Sequence, residues 1–133
     1  MDNKTLDPTI LKDFKMTSGT SYKYRDLTPM EAIPFCTKVA KLLGPFMSNG
    51  VTVGDAIGKA IASVDSEELT KIMRFALGRC YNEKSESLEN EAVFNKWFSN
   101  HPDELLEAGG RAIYNLAIPF IPSSLNIPNF EKN

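Results

Sequence analysis

Residues 24–46 read Tyr-Arg-Asp-Leu-Thr-Pro-Met-Glu-Ala-Ile-Pro-Phe-Cys-Thr-Lys-Val-Ala-Lys-Leu-Leu-Gly-Pro-Phe. Thr28 and Glu31 have the spacing of a capping box, in which each side chain satisfies the other's backbone N–H. Pro29 falls at the first helical position, where its missing N–H is not needed. Ile33, Cys36, Val39, Ala40 and Leu43 then recur at spacings of three and four, with Lys38 and Lys41 on other faces. The segment therefore predicts an amphipathic helix from about Thr28 to Leu43, stopped by Gly44-Pro45. Pro34 disturbs this reading. It lies beyond the first turn, removes one backbone bond and crowds the Met30 carbonyl, so it predicts a kink or an offset start.

Upstream, residues 1–10 are polar and read as a loose arm. Phe14 and Met16 alternate with Lys15, Ser18-Gly19 punctuates, and Tyr22 and Tyr24 alternate with Lys23. That period of two predicts a hairpin with its apolar side chains on one face. Two strands alone are marginal, so the hairpin must lean on the helices.

Downstream, Gly44–Gly50 is a connector, and Thr52 with Asp55 caps a helix carrying Val53, Ala56, Ile57, Ala60, Ile61 and Val64. Asp65 with Glu68 caps the next, whose buried stripe is Leu69, Ile72, Met73, Ala76, Leu77 and Cys80. The polar run 82–87 reads as a surface loop, followed by a short helix from Leu88 to Phe98. Asn100-His101-Pro102 starts the last helix, which runs to about Ile118 on Leu105, Leu106, Gly109, Ala112, Ile113 and Leu116. Gly109-Gly110 inside it calls for either close helix packing or a bend. The expected fold class is all-α: a small multi-helix bundle with a short N-terminal β-hairpin. Its divisions are 1–27 for the arm and hairpin, 28–121 for the helical domain, and 122–133 for a flexible C-terminal tail.

Composition narrows function by exclusion. A net charge of −2, with 15 basic residues scattered among 17 acidic ones, gives no concentrated cationic surface for nucleic acid. The N-terminus lacks the basic start and apolar run of a signal peptide, and no apolar stretch reaches the roughly 20 residues that span a bilayer. The chain reads as soluble and intracellular, with neither nucleic acid nor membrane as partner. Cys36 and Cys80 stand in apolar patterns on different expected helices and read as small core residues.

Catalytic constellations are equally sparse. Gly54-Asp55-Ala56-Ile57-Gly58-Lys59-Ala60 imitates a phosphate loop but is one residue short, and Ala60 stands where Ser or Thr must reach magnesium. His101 is the sole histidine, which rules out a His-pair metal site and suits a turn residue before a helix start. Glu67-Glu68 and Asp103-Glu104 sit where helix starts favour negative charge. No catalytic residue, cofactor or metal is assigned. The aromatics carry more interest. Phe94, Trp97 and Phe98 form one cluster and Phe46-Met47 occupy a connector; each set can fill the core or form an exposed docking patch. Pro119-Phe120-Ile121-Pro122 and Ile127-Pro128-Asn129-Phe130 would extend such a patch into the tail.

Leu27, Glu31, Ala32 and Leu42-Leu43-Gly44-Pro45, then Val93–Phe98, then Ile113-Tyr114-Asn115-Leu116 to Phe120, resemble landmarks of the tail assembly chaperones of long-tailed bacteriophages. The likeness covers about residues 14–121. Pro34, the N-terminal arm and the Pro-rich tail depart from the family's pattern. The resemblance implies a non-enzymatic protein in the cytoplasm of the infected host cell. Such a protein coats the long, apolar tape measure protein, keeps it soluble and helps tail tube subunits gather on it. Partner-binding candidates are then Phe46, Met47, Phe94, Trp97 and Phe98, with self-association as a further possibility. The alternative is another helical protein–protein adaptor or regulator of phage or bacterial origin. A small enzyme is the remaining class, and a deep polar pocket near His101 or Cys80 would point to it.

Overall fold

The computed structural model describes residues 9–46, 51–63 and 66–120. Along them run β1 (Leu11–Lys15), β2 (Ser21–Arg25), α1 (Pro29–Leu43), α2 (Val53–Ser63), α3 (Ser66–Gly78), β3 (Cys80–Tyr81), α4 (Glu91–Asn100) and α5 (Leu105–Ala117). Short 3₁₀ turns follow α1 and α5, and a third, Pro102–Glu104, leads into α5. The arm at 1–8, Met47, the Asp65 cap and the tail beyond Phe120 lie outside the described residues, as do the side chains of Val53, Ile57 and Ile61.

Helix α1 starts where the capping box places it. Thr28 is extended (φ −73°, ψ 158°), Glu31 N–H donates to its Oγ1 at 3.4 Å, and Thr28 N–H donates to Glu31 Oε1 at 3.0 Å. No offset start is needed. The helix continues through Pro34, which is exposed. Thr52 caps α2 through a 3.0 Å bond from Asp55 N–H. The would-be phosphate loop at 54–60 lies wholly within that helix.

The hairpin forms in the expected register, Phe14 opposite Tyr22 and Lys12 opposite Tyr24, with Gly19 (φ +100°) supplying the turn conformation that other residues avoid. Phe14, Met16, Tyr22 and Tyr24 are all buried. Tyr22 is the keystone of this face. Its ring stacks on Phe14 (5.4 Å, 16°) and on Phe98 (6.4 Å, 9°) and meets Trp97 edge-on (6.2 Å, 86°). Aromatic pairs of this kind each add about 0.5–1.5 kcal/mol beyond burial, so α4 is what the hairpin leans on.

Two expectations are corrected. The fold is mostly helical but not purely all-α, because β3 adds a third antiparallel strand, in the order β1-β2-β3. Cys80 was assigned to the buried stripe of α3; it is buried, but α3 ends at Gly78 and Cys80 pairs with Tyr24 of β2. The helical spacing and the strand pairing both turn Cys80 inward, which is why periodicity alone misassigns it. What stops the helix is the open edge of β2, whose polar groups need partners. Arg25 N–H donates to Arg79 O at 3.2 Å, and Leu88 N–H to Cys80 O at 3.0 Å. Consequently α4 starts at Glu91, not Leu88, with Asn90 Oδ1 accepting from Val93 N–H at 3.1 Å.

The core is completed by α3 against α5. Leu69, Ile72, Met73, Ala76 and Leu77 meet Ala108, Ala112, Ile113 and Leu116. A Cβ at Gly109 would run into Met73 Cε, so close packing, not a bend, explains that glycine.

Candidate docking groove

Met30, Pro34 and Phe35 of α1 face Ile72 and Phe75 of α3. Between them runs a groove of about 360 Å³. Phe35 and Ile72 are buried and form its floor, and Phe35 meets Phe75 with ring centroids 5.3 Å apart. Above the floor the side chains are open to solvent: Met30 is 78% and Phe75 41% exposed. Helices of a folded domain normally hide such residues, so two of them on facing walls of one groove are informative.

Charge at the rim is mixed. Glu31 borders the groove, but its carboxylate is already engaged: Oε1 accepts from Thr28, and Oε2 pairs with Arg79 Nη1 at 3.1 Å. Lys38 and Lys71 also border it. Lys71 Nζ lies 3.8 Å from both Glu67 and Glu68, too far for a hydrogen bond, and these side chains are about half exposed or more.

The residues expected to bind partners are placed differently. Trp97 (7% exposed) and Phe98 (6%) belong to the core, because positions 94, 97 and 98 form the stripe that α4 turns toward the hairpin. Phe94 is half-buried and capped by the Arg74 guanidinium, 4.3 Å from its ring centre; Arg74 also donates to Leu88 O and Glu89 O. Phe46 is partly buried against the core at the end of the turn after α1, and Met47 lies outside the described residues. Nothing in the sequence marks Met30, Ile33 and Phe75 as exposed: Ile33 fits the expected buried stripe, and Phe75 lies between core positions.

A second depression, of about 340 Å³, borders His101 and is lined by Glu83, Glu86, Lys96 and the edge of Trp97 among others. Its chemistry is thin. His101 Nδ1 lies 2.9 Å from Trp97 O, its ring stacks on Trp97 at 4.0 Å, and no hydroxyl or thiol lines the space. Burial pushes both thiols up, Cys80 far more than Cys36, which favours the protonated form of each. Among the described residues no group of three or more His, Cys, Asp or Glu side chains could hold a metal ion, and no helix is long and apolar enough to cross a membrane.

The most elaborate polar cluster joins the hairpin to α5. Glu104, 4% exposed, accepts from Ser18 Oγ at 2.6 Å, Thr20 Oγ1 at 2.7 Å and Tyr22 OH at 2.8 Å, while Trp97 Nε1 donates to Tyr22 OH at 2.9 Å. Burial pushes the Glu104 carboxyl up, but the three hydroxyl donors, aided by His101, hold it below the ordinary range. Glu107 is likewise lowered: burial opposes, and Thr17 and Arg111 prevail. Both Glu104 oxygens accept from the protein's own hydroxyls, so the cluster fastens the hairpin to the start of α5. Among the described residues, the α1–α3 groove combines an apolar floor with exposed apolar walls.

A family model described as phage tail assembly chaperone protein matches residues 18–113. No curated protein and no solved structure matches significantly.

Proposed function

The chain belongs to the phage tail assembly chaperone family, which is not an enzyme class, and from that premise we propose that it holds the tape measure protein in solution during tail assembly. The observation that carries this reading is Met30 and Phe75 standing open beside an apolar floor. An elongated, apolar client exposes repeated hydrophobic turns before tube subunits cover them. A two-helix groove of this size covers one short stretch, so many copies along one client would be needed, each held weakly enough for tube subunits to displace. Phe46 and Phe94, at the margins of the core, are secondary contacts in this scheme. Recruitment of the tail tube protein, and action in the cytoplasm of the infected host cell, complete the proposal.

Co-expression with the cognate tape measure protein tests the reading. The client should move into the soluble fraction and co-purify with the wild-type chain, and Met30→Asp/Phe75→Asp should abolish both. A client equally insoluble with and without the chain sinks the proposal.

A further inference from the structure

Resting on the reading that the α1–α3 groove holds the client, we infer that this chain's own tail, residues 121–130, lies in the groove when no client is bound. The path to it is laid out on α1. The described chain leaves α5 against the middle of that helix, with Ala117 O 4.0 Å from Cys36 Sγ and Phe120 partly buried against the core. Cys36, Ile33 and Met30 are successive i, i+3 neighbours, so they form one ridge on the helix surface about 11 Å long. Cys36 is half-buried, and Met30 (78% exposed) and Ile33 (64%) are the most exposed large apolar residues described. An apolar track thus leads from the end of α5 to Met30, which lines the groove. Thirteen residues follow Phe120, and an extended chain of that length reaches about 40 Å, enough to cross the ridge and still line the groove.

The tail's composition fits the surface. Ile121-Pro122-Ser123-Ser124-Leu125-Asn126-Ile127-Pro128-Asn129-Phe130 carries no charge. At the rim Glu31 is paired with Arg79, and Lys71 with Glu67 and Glu68, so an uncharged occupant breaks no ion pair there. Pro122 and Pro128 oppose a helix and favour the extended polyproline form, which docks on aromatic surfaces such as that made by Phe35 and Phe75. Tethering gives the tail an effective concentration of about millimolar, so a weak contact suffices to keep the groove covered. A client must displace the tail, and its apparent affinity falls in proportion to the grooves left open.

The test uses the full chain carrying a photocrosslinking residue at position 30 or, separately, at position 33. Illumination, digestion and mass spectrometry should map adducts to residues 121–130, in a yield that does not change with protein concentration. Leu125→Asp/Ile127→Asp/Phe130→Asp should cut that yield about tenfold. Without the crosslinker, the same three substitutions should tighten binding of the cognate tape measure protein about tenfold, the change expected if the tail covers about nine grooves in ten. No adduct within 121–130, adducts only with a second copy, or a yield unmoved by the three aspartates overturns the inference. Where the client is captured, unchanged or weakened binding by the aspartate variant overturns it too. Tail adducts in a chain that fails to capture the tape measure protein would sink the chaperone reading alone, and capture without tail adducts would sink only this inference.

Discussion

Replacing Glu104 by Gln keeps the shape of the cluster and removes its charge. Gln can still accept from Tyr22 through its carbonyl, and the Ser18 and Thr20 hydroxyls can turn to face the amide. What disappears is charge assistance on three bonds, about 1 kcal/mol each, partly offset because no carboxylate is then buried. The expected loss is about 1–2 kcal/mol for Glu104→Gln at neutral pH. For Glu104→Ala it is about 3–4 kcal/mol, since Tyr22 OH, on a residue with 0% exposure, loses its acceptor. The sole tryptophan, Trp97, donates to Tyr22 and so reports on the cluster directly. In urea melts followed by its fluorescence, the Gln variant's midpoint should fall by about 1 M, taking m as about 1.5 kcal/mol/M. The pH dependence supplies an independent check. A carboxyl lowered in the folded state contributes stability that is fully present above its unfolded value, 4.5, and is lost as pH falls through the folded value. The gap between wild type and Glu104→Gln should therefore be constant above about pH 5 and close progressively below it. An unchanged midpoint at neutral pH, or parallel pH curves throughout, would refute the argument.

Thr28→Ala removes one half of the capping box and should cost about 1 kcal/mol in thermal or urea melts; because the 3.4 Å bond is long, a loss above about 2 kcal/mol would mean the residue does more than cap. Gly109→Leu should cost about 2–3 kcal/mol by forcing α5 off Met73, whereas Gly109→Ala should be near neutral, since the end of Met73 can swing aside while helix propensity improves by about 1 kcal/mol. Lys12→Met leaves the Asp26 carboxylate, 1% exposed and 2.9 Å from Lys12 Nζ, without its ion pair, and should destabilise by about 3 kcal/mol in a urea melt at pH 7. A thiol reagent should label Cys36 slowly and Cys80 only on unfolding; rapid labelling of both in the native protein would contradict the burial of β3.

Where information is local, this chain states its structure openly. Thr28, Pro29 and Glu31 start a helix wherever they occur together, because the polar groups concerned lie within three residues of one another. The alternation around Gly19 likewise fixes which hairpin face is apolar, since side chains on a strand point to opposite sides in turn. Tertiary structure decided the rest. Cys80 follows α3's periodicity but pairs with β2, because an open strand edge three elements away outcompetes one more turn of helix. Asn82 reads as a loop residue, yet it is 1% exposed and organises the loop by accepting from Lys84 and Glu86 N–H and donating to Glu86 Oε1. Glu104 looks like a charge placed for a helix start, and its actual partners lie more than 80 positions earlier. The candidate surface was the least legible part. Sequence shows which residues are apolar but not which of them a neighbour covers, so Trp97 and Phe98 drew notice while Met30, Ile33 and Phe75 did not. Only the packing of α4 under the hairpin, and of α1 beside α3, separates the aromatics that hold the fold together from the apolar residues left exposed.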